Sequence, residues 1–124
     1  MSRRMPLVAL SLIVPVLALL VACGAPASNE VDMGVANFRQ GSITVNAGDT
    51  VHFVDPPTGG GVHVLCIGSG LDCVPQPGAP TELNTKEGIN FSQGDTKDIV
   101  FHNRGTFVVV CTIHPGMAVT ITVQ

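Results

Sequence analysis

Near the C-terminus of the 124-residue chain, Cys111, His114 and Met117 follow one another with two residues between each pair. Within seven positions they offer a thiolate, an imidazole and a thioether. Soft and borderline metals select these ligand types. A trigonal His/His/Cys set with a long axial Met holds copper in a geometry suited to single-electron exchange. The run lacks one imidazole, so a second histidine must come from elsewhere in the chain.

The flanking residues say how the run is held. Residues 105–110 (Gly-Thr-Phe-Val-Val-Val) read as a buried strand, and residues 117–123 alternate as a second strand. The ligands then fall on a short loop between two strands, with Pro115 and Gly116 supplying its turn chemistry.

Further upstream, residues 42–46 alternate, Ala47-Gly48-Asp49 turns the chain, and residues 50–55 alternate again. Ile43, Val45, Val51 and Phe53 are the expected core positions of these two strands. Residues 56–61 (Pro-Pro-Thr-Gly-Gly-Gly) break regular structure. Strand-like residues resume over 62–67 and again over 97–102, ahead of the Asn103-Arg104-Gly105 turn. The stretch from Gly68 to Gly88 carries Pro75, Pro77 and Pro80 and is expected to be mostly loop. No stretch sustains a helical period. Seven or eight short strands with Gly and Pro turns argue for an all-β fold, an antiparallel sandwich with Greek-key connections.

The pattern Cys-x-x-His-x-x-Met at 111–117, entered from Gly-Thr-Phe and followed by an alternating final strand, resembles the cupredoxin family of blue copper proteins. The two-residue gap from His114 to Met117 is similar to the amicyanin type, and plastocyanins usually have a longer one. Ile-Thr-Val-Asn-Ala-Gly-Asp-Thr-Val at 43–51 resembles the second and third strands of the same family. The resemblance covers residues 31–124. It implies one copper ion held by His63, Cys111, His114 and Met117. In the family the first His sits where a loop enters a strand, well before the Cys. His63 follows Gly59-Gly60-Gly61 and lies 48 positions before Cys111. The other two candidates fit less well. His52 lies mid-strand between two core positions and should face solvent. His102 sits beside the Asn103 turn, at the wrong end of its strand. One departure stands out. Cupredoxins often carry Asn directly after the first His, bracing the ligand loop. Here that residue is Val64, so bracing must come from elsewhere, with Thr112 and backbone groups the candidates.

The resemblance further implies one-electron transfer, with the His114 edge as the electron port. Pro115, Gly116 and Ala118 would border a weak, transient docking surface for redox partner proteins of a respiratory or photosynthetic chain. A monomer is expected. A copper carrier or store is the alternative reading, but Met33 and Met117 do not cluster in sequence. Copper oxidases and nitrite reductases need further domains and His-x-His pairs, so no enzyme activity is expected. Zinc on His63, Cys111 and His114 is a plainer alternative.

The N-terminal segment belongs to export. Arg3 and Arg4 precede an apolar run over 7–22, which reads as a signal peptide. Leu20-Val21-Ala22-Cys23-Gly24 resembles the bacterial lipoprotein cleavage box, which implies lipidation of Cys23 and an extracytoplasmic, membrane-anchored protein; an ordinary secretory signal or an uncleaved anchor is the plainer alternative. Residues 23–30 are small and polar and read as a tether. Lipid on Cys23 and copper on Cys111 would leave Cys66 and Cys73, which should pair as a disulfide in an oxidising compartment. A metal-ligand role for either is the weaker alternative. After residue 22, four Lys and Arg stand against nine Asp and Glu, a formal charge of −5. With no basic cluster, nucleic acid is excluded as a partner.

Overall fold

The computed structural model describes residues 29–124. Among them there is no helix, and nine strands form two sheets. In chain order these are β1 (Glu30–Asp32), β2 (Ser42–Val45), β3 (Thr50–Val54), β4 (His63–Ser69), β5 (Asp72–Cys73), β6 (Ile89–Phe91), β7 (Thr96–Val100), β8 (Gly105–Cys111) and β9 (Ala118–Val123). The smaller sheet has the order β1-β3-β7. The larger runs β2-β9-β8-β4-β5, with β6 also paired to β4.

The expected all-β sandwich is present, with one strand more than the seven or eight read from the sequence. It is also mixed and not wholly antiparallel, because β1 pairs with β3, and β2 with β9, in parallel. The first strand starts at Glu30, one residue before the expected start of the domain.

Alternation along the strands builds the core. Val51 and Phe53 on β3, Leu65 and Ile67 on β4, Phe107 and Val109 on β8, and Val119 and Ile121 on β9 are all buried. Each pair is two apart in sequence, so each pair lies on one face of its sheet. Val45 is buried as expected, and Ile43 packs partly buried against the cluster. Aromatic pairs join separate elements. Phe53 on β3 and Phe91 on β6 come from different sheets and sit 6.5 Å apart, and Phe101 and Phe107 sit 5.9 Å apart. Tilted pairs at such distances add about 1 kcal/mol each beyond the area they bury.

The proline-rich stretch after β4 is less loose than its composition suggests. Cys66 and Cys73 form a disulfide that closes the β4–β5 hairpin. Leu83 is fully buried, and its carbonyl accepts the Ile67 N–H at 2.8 Å. Leu83 thus ties the loop to β4 through both its side chain and its backbone.

Candidate metal centre

The site grows out of the pairing between β4 and β8. Leu65 lies opposite Cys111 in their antiparallel register, and Ile67 lies opposite Val109. His63, two residues before Leu65, shares its face. Because side chains alternate, His63 and Cys111 project to the same side as diagonal neighbours, within reach of one another. The His63 ring begins β4, and the Cys111 thiol ends β8.

The loop after β8 is then folded tightly enough to bring its imidazole back. The Cys111 N–H donates to the Met117 carbonyl at 3.0 Å, and the Met117 N–H donates to the His114 carbonyl at 3.2 Å. Gly116 takes a φ of 77°, a left-handed conformation that closes the turn after Pro115. The loop is tied to β4 by the Thr112 N–H, which donates to the Val64 carbonyl at 2.9 Å. This backbone bond supplies bracing at the position where the sequence lacks the usual Asn.

In the result, Cys111 Sγ lies 3.4 Å from His114 Nδ1 and 3.9 Å from His63 Nδ1. One ligand atom from each of His63, Cys111 and His114 falls within 4.8 Å of the others. The two imidazole rings meet edge to face, 5.2 Å between centroids. Cys111 and His63 are fully buried, whereas His114 is half-buried. Met117 is buried in the core cluster at the end of the same loop. Cys111 is the free cysteine among the described residues. A buried thiol with two ring nitrogens turned towards it is a donor set matched to copper, and the residues fit that ion.

Burial pushes the pKa of His63 below its ordinary value. The Asp55 carboxylate opposes this, His114 adds to it, and the Gly34 backbone raises it. The outcome is a neutral ring at neutral pH, with a lone pair free to ligate.

The other sequence candidates stand apart. His52 is exposed and pairs with Asp98 across β3 and β7 at 2.7 Å. His102 is exposed beyond the end of β7. Pro115, Gly116 and Ala118 are exposed on the ligand loop and its exit. Cys23 lies outside the described residues. A surface cleft of about 540 Å³ is lined by residues of β6 and β7 with Glu82 and Gly88, and includes none of the cluster.

One residue was not foreseen from the sequence. Asp55 is fully buried, directly after β3, and its Oδ2 lies 3.9 Å from His63 Nε2. Its only sequence signal is the break that follows it, two prolines and then three glycines in a chain otherwise free of such a run.

Comparison with known proteins agrees with this geometry. Residues 25–124 match the family model of copper binding proteins of the plastocyanin/azurin family. Among solved structures, amicyanin from Paracoccus versutus (Thiobacillus versutus) superposes with a TM-score of 0.56 at 18% identity, covering 83% of this chain and 87% of that one. A proline-to-glycine mutant of amicyanin in its reduced Cu(I) form at pH 4 gives 0.57 at 20% identity, covering 83% and 88%. An oxidized methionine-to-leucine mutant of amicyanin gives 0.56 at 18% identity, with the same coverage. At these identities the likeness establishes a shared fold. No curated protein matches the chain in sequence.

Proposed function

Since the chain belongs to the plastocyanin/azurin family of copper-binding proteins, we propose that it is a one-electron carrier with a single type 1 copper site. His63, Cys111 and His114 would hold the copper, with the Met117 thioether as the weaker fourth ligand. The observation that carries this reading is the convergence of three donor atoms within 4.8 Å, two of them on fully buried residues. Bound copper supplies a centre that passes between two oxidation states with little change in geometry. The chain's part is to keep that geometry fixed. β4 holds His63 and β8 holds Cys111, so the ligands are placed before any metal arrives. Burial of Cys111 keeps water from its sulfur.

His114 is the most exposed member of the cluster and provides the outer-sphere route for the electron. Val35, Val62 and Ile113 are exposed apolar side chains, and two of them adjoin ligands in sequence. The Val35 carbonyl lies against Gly61, which places that segment beside the Val62 end of β4. With Pro115, Gly116 and Ala118 they offer a small apolar surface for transient contact with redox proteins of a respiratory or photosynthetic chain. The protein acts as a monomer and has no turnover of its own. Lipid on Cys23 and a tether from there to β1 hold it on the extracytoplasmic side of a bacterial membrane. The Cys66–Cys73 disulfide supports an oxidising compartment.

Voltammetry of the copper-loaded protein tests the proposal. A carrier of electrons gives one reversible one-electron wave and keeps its copper when reduced in the presence of a chelator. A copper carrier or store surrenders the metal on reduction, and that result would replace electron transfer with metal delivery as the function.

A further inference from the structure

His63 has two ring nitrogens, and only one faces Cys111. The other, Nε2, is buried without a hydrogen-bond partner among the described residues, and so is Asp55 Oδ2. These two orphaned atoms lie 3.9 Å apart, in side chains that solvent does not reach. A buried carboxylate oxygen and a buried ring nitrogen, each lacking a partner, are costly to leave apart.

The surroundings hold the carboxylate in place. The Asp55 N–H donates to the Asp95 carbonyl, and the Gly94 N–H donates to the Asp55 carbonyl, both at 2.8 Å. Asp55 Oδ1 accepts the Gly61 N–H at 3.0 Å. That leaves Oδ2 aimed at His63. The glycines make room for the pair. A Cβ on Gly60 would collide with Asp55 Oδ1, and one on Gly61 would sit 2.7 Å from the Val35 carbonyl and 3.3 Å from His63 Nε2.

The geometry points to Asp55 as a positioning residue for the copper site, a carboxylate that accepts a hydrogen bond from the Nε2–H of His63. The inference rests on the proposed copper site. Ligation through Nδ1 requires the tautomer with the proton on Nε2, and a carboxylate facing Nε2 favours that tautomer and fixes the ring. A shift of about 1 Å closes the gap to a charge-assisted hydrogen bond. The same negative charge, buried behind a ligand, stabilises the more positive oxidised metal and so lowers the reduction potential.

The test compares Asp55→Asn with Asp98→Asn in the copper-loaded full chain. Both remove one negative charge, but Asp98 is exposed and faces His52 instead of the cluster. The amide of Asp55→Asn can still accept the Gly61 N–H through its oxygen, while its nitrogen turns a donor towards Nε2. The expected result is at least a tenfold shift in relative affinity towards Cu(I), read as a potential raised by about 59 mV per tenfold, with Asp98→Asn unmoved. Nitrogen-15 NMR of the wild-type Cu(I) protein decides independently of whether Asp55→Asn folds. A scalar coupling across the hydrogen bond between His63 Nε2 and the Asp55 carboxylate carbon supports the assignment. An unprotonated or freely exchanging Nε2 overturns it, and so does a blue Asp55→Asn protein with unchanged potential. Loss of the blue colour from the wild type would instead defeat the copper reading itself.

Discussion

The Nδ1 atom of His63 faces the sulfur of Cys111 across 3.9 Å, although 48 positions separate the two residues in the chain. The β4–β8 register creates this neighbourhood, and the loop after Cys111 then adds His114 at 3.4 Å. The site is thus a property of the sandwich as much as of the Cys-x-x-His run.

That dependence reaches back to the glycines before β4. Replacing Gly60 by Ala drives a methyl group into the Asp55 carboxylate and the Pro56 carbonyl. The expected loss is about 1–3 kcal/mol of stability, the usual cost of overpacking a filled site. Urea denaturation of metal-free Gly60→Ala measures it. Gly41→Ala meets no atom within 4 Å and serves as the neutral control.

Met117 is the proposed axial ligand. A Met117→Leu protein keeps the buried volume nearly constant, which limits the folding cost to below about 1.5 kcal/mol. It removes a donor that favours the oxidised metal. The blue colour is expected to persist with a raised reduction potential, since the axial ligand tunes potential and the trigonal set supplies the colour. Spectroelectrochemistry of the variant reports both at once.

The two remaining histidines of the described residues provide the opposite expectation. His52 is engaged with Asp98 on the far sheet, and His102 is exposed after β7. His52→Ala and His102→Ala should leave the visible spectrum and copper stoichiometry unchanged. Removing an exposed pair such as His52–Asp98 costs less than about 1 kcal/mol.

Burial of His63 gives the metal-free protein a pH dependence of definite sign. Its pKa in the fold lies below the ordinary imidazole value because burial disfavours the charged ring. Between the lowered value and the ordinary one, about 6.5, the unfolded chain binds more protons than the fold. Stability is therefore retained above that window and declines as pH falls through it. Chemical denaturation of the metal-free protein at a series of pH values from neutral to acidic reads this decline. His63→Gln should flatten it.

Much of the site was legible in the sequence, because its chemistry is concentrated in one short run. Cys111, His114 and Met117 announce themselves by residue type and interval, and the glycines before His63 mark it as a loop residue entering a strand. The alternation of β3, β8 and β9 carried the sandwich. Alternation reports which side chains face inward, but not which strand lies alongside, so the parallel pairings of β1 with β3 and β2 with β9 could not be read from it. Leu83 and Pro80 are the buried residues of a proline-rich loop, too few to make a pattern. Asp55 was hidden for a different reason. An acidic residue at a strand end ordinarily faces water, and only the fold reveals a carboxylate enclosed behind a metal ligand.

The most direct test of the central claim is the visible and electron-paramagnetic spectrum of the copper-loaded protein, with and without reductant. One copper per chain should give an intense blue thiolate band that bleaches on reduction and returns on reoxidation, and Cys111→Ser should abolish it. Copper bound at one per chain without that band, or a band that survives Cys111→Ser, would contradict the account.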